Sequence, residues 1–316
     1  MNLPHAGQVS ARTEWLARPF SDGGTSCLLQ ILIQSLDKSG SYPEQVWGDM
    51  QVLIAVKTYP IPSKGYDELV CTAGVTETGD FVRLYPINFR DLPWDQQYRK
   101  YQWIEVEVKK HVGRDSRKES YRPDSETLQI MGEPLDTKDN WSKRAHYLLK
   151  KEARSLEDLH ERQAADRTSL GVFRPKRILD LVINKDDVDW KPSFKNALAQ
   201  ARLWENRKAS KEPPRKVPFK FQYKFECDDD RCKGHQMMIE DWEVGALYWR
   251  LRDNGLDAQA AAEKVKQKFL NDLCGPDKDT RFIVGTVLAH PRSWVVIGLF
   301  YPKKVIEKPE AQGFLF

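Results

Sequence analysis

F-E-C-D-D-D-R-C-K-G-H-Q-M-M-I-E-D-W-E, residues Phe225 to Glu243, is the stretch on which the reading of this chain turns. It sets two thiols, an imidazole and several carboxylates between a strand-like run and a helix-like one. Cys227, Cys232 and His235 follow the spacing C-x4-C-x2-H. Thiolate and imidazole are the donors that a tetrahedral zinc ion prefers, so the run is a candidate zinc site. Gly234 permits a tight turn between Cys232 and His235, which lets their side chains converge. Asp228, Asp229, Asp230, Cys274, His290 and water are the candidates for a fourth ligand. The choice matters, because water in fourth place makes a catalytic zinc and a fourth protein group closes a structural one. The competing reading takes Cys227 and Cys232 as ordinary reduced thiols and His235 as a loop histidine, since no second C-x-x-C or H-x-H arm accompanies them.

Working outward, Phe219, Phe221, Tyr223 and Phe225 alternate with Lys220, Gln222, Lys224 and Glu226, the pattern of a half-buried strand that delivers Cys227 at its end. Gln236 to Glu240 is expected to return antiparallel to it. Asp241 then caps a helix from Trp242, with Val244, Leu247, Tyr248 and Leu251 on one face, and Asn254-Gly255 ends it. A second helix over Asp257 to Leu273 and a hairpin from Arg281 to Leu288 and Trp294 to Tyr301 complete an α+β knuckle domain over residues 217–303.

Ahead of the proline-rich linker at Lys211 to Lys216 lies a β-rich domain with a helical insertion, expected over residues 49–210. Gln51 to Tyr59 is a nearly continuous apolar strand. Glu68 to Val75 and Asp80 to Tyr85 flank E-T-G-D as a hairpin. Tyr101 to Val108 alternates, and Leu128 to Met131 adds a short strand. Short strands closed by Gly and Pro turns predict a small barrel or curled sheet. Trp141 to Arg167 reads as one charged helix, Leu170 to Asn184 as strand, and Phe194 to Arg207 as a helix capped by Ser193. Residues 1–48 form an N-terminal appendage with a short amphipathic helix near Ser26 to Leu36, and residues 304–316 a flexible tail.

The chain has 316 residues, 40% hydrophobic and 30% charged, with a net charge of +4 and five cysteines. Those values describe a soluble protein with room for two cores, and an odd cysteine count fits a reducing cytoplasm better than a disulfide framework. No apolar run reaches membrane-span length, and the N-terminus has no secretion-signal pattern. Ten tryptophans accompany a mean hydropathy of −0.64. Large aromatics in so polar a chain suit small β cores and stacking surfaces.

Two polar stretches decorate the β-rich domain. Arg83 to Arg90, R-L-Y-P-I-N-F-R, joins Arg83 and Arg90 to Tyr85. Lys109 to Arg122 holds six basic residues, among them Lys109, Lys110, Arg114 and Arg117. Arginine or lysine beside aromatics is what phosphate contact and base stacking require; solvated loop charge is the plain alternative. The Arg83 to Arg90 run, together with the run from Cys227 through His235 to Asp241-Trp242-Glu243, resembles an uncharacterised bacterial family that carries no activity. The terminal Gln312-Gly313-Phe314-Leu315-Phe316 is similar to the peptide by which bacterial replication and mismatch-repair proteins bind the sliding clamp. That resemblance implies a polar pocket for Gln312 and an apolar groove for Leu315 and Phe316.

The expectation is a DNA-associated protein of genome maintenance or phage defence, held to nucleic acid by the N-terminal sheet and recruited by its tail. One alternative is a metal-dependent nuclease around His235, Asp241 and Glu243, although no E-x-K or H-N-H arrangement is present. Another is a non-enzymatic interaction module. G-x-x-x-x-G-K and G-x-S-x-G motifs are absent.

Overall fold

The computed structural model describes residues 46–62, 68–111, 115, 117–192, 195–196 and 214–305. The expected N-terminal helix, the helix over 194–207, Arg114 and the clamp-like residues Gln312, Leu315 and Phe316 lie outside the described residues. The protein is mixed α+β, as its periodicities predict.

Five strands close a barrel: β1 (Gly48–Lys57), β3 (Glu68–Val75), β4 (Phe81–Ile87), β5 (Trp103–Lys110) and β6 (Ser120–Pro123). The cycle runs β1-β3-β4-β6-β5 and back to β1, antiparallel throughout except for the parallel β4/β6 pair. Two further strands, β2 (Ile61–Pro62) and β7 (Gln129–Met131), hang on β3 and β5. The E-T-G-D turn joins β3 to β4, with Gly79 at φ +81° where a side chain would be strained.

The continuous apolar run of β1 has a physical reason. Val52 and Ile54 point into the barrel with Leu84, Ile104 and Val106. Leu53, Ala55 and Val56 pack outward against Leu170, Val172, Ile283 and Ile297. A bulge between Ile54 and Val56 turns Val56 to that outer face. A strand buried on both faces reads as a block rather than as an alternation.

The outer partners of β1 belong to a second set of elements. The strands β8 (Leu170–Phe173), β12 (Arg281–Val287) and β13 (His290–Phe300) form one sheet, and β9 (Arg177–Lys185), β10 (Phe219–Glu226) and β11 (His235–Met238) form another. Strand pairing thus joins β8 and β9 to elements beyond the proline-rich linker. The alternation of β10 is observed: Phe219, Phe221, Tyr223 and Phe225 are buried and face Phe173 and Phe282.

Among the described residues, four helices accompany the sheets: α1 (Lys138–Leu148), α2 (Leu156–Asp166), α3 (Trp242–Asp253) and α4 (Ala258–Lys266), the last running into a π-helical turn, Gln267–Asp272. The single helix expected over Trp141 to Arg167 is two. Ala153 bridges to Phe173 on β8, and Ser155 starts α2 by accepting from the Asp158 amide, so the chain leaves one helix and caps another. No helix among the described residues is long and apolar enough to cross a membrane.

Candidate functional site

The β10/β11 hairpin ends in the Cys/His knuckle, and α2 meets it end-on. Ser155 accepts from the Asp158 amide at 3.1 Å, which caps α2, and donates to Asp229 Oδ2 at 2.8 Å, which fixes the knuckle loop. This places the first turn of α2 on the two sulfurs. The Leu156 amide donates to Cys227 Sγ at 3.5 Å. On the loop itself, the Cys227 and Gly234 amides donate to Cys232 Sγ at 3.1 and 3.4 Å. Gly234 takes φ +83°, which is what the tight turn requires of it.

Cys227, Cys232 and His235 converge as their spacing predicts, and the fourth group is Glu157. Ligand atoms of Glu157, Cys227, Cys232 and His235 all lie within 4.8 Å of one another, close enough to hold a metal ion. His235 Nε2 sits 2.7 Å from Glu157 Oε1 and 3.4 Å from Cys232 Sγ, and its ring rests on Phe225. Glu157 precedes His235 by 78 residues.

The expected fourth ligands are otherwise engaged. Asp228 pairs with Lys176 at 2.8 Å, and Asp229 takes Arg231. Asp230 and His290 are exposed, and Cys274 is turned to the Tyr223 hydroxyl in the core.

The chemistry of the cluster fits a cation. Burial pushes the Cys227 thiol well above its ordinary value, and nearby Glu157 adds to that, so a positive ion is what would hold it as thiolate. Burial also acts against the Glu157 charge, but hydrogen bonds from its own backbone amide and from His235 hold the carboxyl below its usual range. The second oxygen, Oε2, is buried without a hydrogen-bond partner. Amide-to-sulfur bonds from a helix N-terminus and a turn stabilise charge on both sulfurs.

Asp241 and Glu243 do not join His235. Asp241 is 2% exposed and caps α3 by accepting from the Glu243 amide at 3.0 Å. Lys100, from the loop before β5, places Nζ 3.0 and 2.8 Å from the two Asp241 oxygens and 3.2 Å from Glu243. Burial opposes the ammonium charge, yet the two carboxylates outweigh it and hold the Lys100 pKa above its ordinary value. The ammonium donates to both Asp241 oxygens and pairs with Glu243, so the position between these carboxylates is already filled by a cation. The cluster expected around His235, Asp241 and Glu243 is therefore two separate sites.

The basic residues also divide. Arg83 is 2% exposed, donating to Ser120 and Ser169 side chains at 3.2 and 2.8 Å and to the Ser169 carbonyl at 3.0 Å. Arg117 forks onto Asp115 at 2.7 and 2.6 Å and reaches the Thr286 carbonyl at 2.9 Å. Burial works against the Asp115 charge, but Arg117 brings its carboxyl down to about 2. Both arginines brace the barrel against β8 and β12, so neither can reach a phosphate as the sequence suggested. Tyr85 and Arg90 are half-buried.

Lys109 is half-buried, and Lys110 is exposed and donates to the Lys118 carbonyl. Lys109 Nζ lies 4.5 Å from the Trp47 ring centroid and Lys110 Nζ 4.1 Å from that of Tyr121. The β5/β6 register sets Lys109 opposite exposed Arg122 and Lys110 opposite Tyr121. Tyr121 and Arg122 belong to the basic stretch read from the sequence, but their pairing with Lys110 and Lys109 is not visible in the chain, and Trp47, just before β1, was missed.

Residues 151–315 match the family model described as Domain of unknown function (DUF8757), and residues 48–150 match one described as Domain of unknown function (DUF8758). No curated protein matches the chain.

Proposed function

We propose, for a chain that belongs to the family described as Domain of unknown function (DUF8757), that it is a DNA-associated protein of genome maintenance or phage defence. The observation that carries this reading is the barrel surface at Trp47, Lys109, Lys110, Tyr121 and Arg122. Cations for phosphate and rings for bases stand side by side there, on a small closed barrel. The buried arginines give the barrel a rigid attachment to the sheets behind it, which suits a platform.

The metal in this reading is zinc. Two sulfurs, one imidazole and one carboxylate are a zinc donor set, and four protein ligands make a closed structural site with no open position for a substrate. The knuckle then anchors α2 to the β10/β11 hairpin and takes no part in chemistry. Gln312, Leu315 and Phe316 would recruit the protein to a bacterial sliding clamp, in the reducing cytoplasm where its thiols stay available to metal.

Fluorescence anisotropy with labelled single- and double-stranded oligonucleotides, at rising salt, tests the reading. Affinity should fall steeply with salt, and each of Lys109→Ala, Lys110→Ala and Arg122→Ala should lower the logarithmic salt slope by about 1. Absence of binding at low salt, or a slope unchanged in the triple variant, contradicts it.

A further inference from the structure

Between α3 and α4 lies an open cleft of about 670 Å³. Glu243, Leu247, Arg250 and Leu251 line it from α3, at the helical spacing i, i+4, i+7, i+8, so one continuous face of that helix borders the cleft, with Leu247 and Leu251 also packed against the core. Lys264 on α4 and Gln267, Phe269 and Asp272 on the π-helical turn form the opposite wall. Such turns recur at functional sites, because the extra residue re-aims the side chains that follow. Tyr301, at the end of β13, lines the cleft as well, with its ring set against Trp141 at 4.7 Å.

Three kinds of group face this space. Leu247, Leu251, Phe269 and Tyr301 give it apolar and aromatic walls. Arg250 is exposed, and no partner for its guanidinium is recorded among the described residues; Lys264 meets only the neutral amide of Gln267, at 3.0 Å. The acids are paired: Glu243 with Lys100 at 3.2 Å, an ammonium it shares with Asp241, and Asp272 with Lys268 at 3.2 Å. With Arg250, Lys264 and Lys268 against Glu243 and Asp272, the lining carries more basic than acidic side chains, while the paired carboxylates and the Gln267 amide remain able to accept hydrogen bonds.

An inorganic anion has no use for the apolar walls, and a fatty acid has none for Glu243, Gln267 and Asp272. A ligand that engages all three carries an anionic group, hydroxyl or amine donors and a flat ring. We infer that this cleft binds a nucleoside monophosphate, with the phosphate at Arg250 and Lys264, the base along Tyr301 and the α3 leucines, and the sugar hydroxyls toward Glu243 and Gln267. A volume of that size lies in the range of pockets that enclose ligands of this class. Glu243 connects the cleft to Lys100, and so to the barrel, but the site stands independently of the barrel's own surface.

Isothermal titration with adenosine monophosphate tests the inference. Saturable binding with a Kd below about 1 mM is expected, weakened by about tenfold or more in Arg250→Ala and in Lys264→Ala. Ribose 5-phosphate should bind at least about tenfold more weakly, since it lacks the ring. Lys110→Ala should leave the titration unchanged, which separates this site from the barrel surface. A 5′-phosphorylated oligonucleotide distinguishes the source: Arg250-dependent binding tighter than that of the mononucleotide assigns the cleft to a strand end, weaker binding to a free nucleotide. Failure to saturate below about 10 mM, equal affinity for ribose 5-phosphate, or indifference to both substitutions overturns the inference.

Discussion

Two polar clusters sit at opposite ends of β11, and the contrast between them separates a candidate metal site from an ion pair. At the His235 end, Glu157, Cys227, Cys232 and His235 bring their ligand atoms within 4.8 Å of one another with no lysine or arginine among them. At the Asp241 end, two carboxylates close on Lys100 at 2.8 and 3.2 Å. Both clusters join distant parts of the chain. The first lacks a cation and holds soft donors; the second has its cation built in. The presence of carboxylates near a histidine in sequence is a poor guide to metal chemistry unless the protein's own cations are counted first.

The contrast can be broken most easily at the His235 end. Chelation, or Cys232→Ser, should destabilise the protein by on the order of 5 kcal/mol, because metal-binding free energy is folding free energy where the donors meet only in the native state. Denaturant unfolding with and without chelator measures this, and equal midpoints would erase the distinction between the two clusters. Asp241→Asn should cost about 3 kcal/mol, by leaving Lys100 buried with one acidic partner, while metal content stays at the wild-type value. Loss of metal in that variant would join the two clusters into one.

A smaller effect sharpens the account of the Lys100 end. Lys57 lies beside the pair, with Nζ 3.9 Å from the Phe89 ring centroid. Burial, helped by the neighbouring Lys100 charge, brings its pKa down to about 8. Between about 8 and its ordinary value the unfolded chain keeps a proton that the folded protein has lost, so the Lys57 contribution to stability, read as wild type minus Lys57→Met, should rise with pH across that window. The rise is on the order of 2 kcal/mol between roughly pH 8 and 10. Lys57→Met should lack it and raise stability at pH 7, as read from urea midpoints at several pH values. A Lys57→Met variant whose pH dependence matches that of the wild type would show that Lys57 is solvated.

What could be read from the chain follows sequence distance. The alternation of Phe219 to Phe225, the hairpin at Gly79 and the convergence of Cys227, Cys232 and His235 are local, and each is found as expected. Glu157 was hidden, because it lies 78 residues from His235 and one glutamate among many carries no mark of a ligand. Its one local signal is Ser155, a capping residue that starts a helix and so aims a helix N-terminus somewhere. Arg83 was misread for a similar reason. Its partners Ser120 and Ser169 are 37 and 86 residues away, and nothing in R-L-Y-P-I-N-F-R tells a buried brace from a phosphate contact. Half-buried Lys109 and exposed Lys110 carry the same charge but stand next to rings, Trp47 brought by the β1/β5 pairing and Tyr121 by the β5/β6 register.

Metal content of the purified protein, wild type beside Glu157→Ala and Asp241→Asn, addresses the central claim most directly. Elemental analysis should find one zinc per chain in the wild type and in Asp241→Asn, with Glu157→Ala losing most of it. Zinc absent from the wild type, or retained in full without Glu157, would contradict the four-ligand centre.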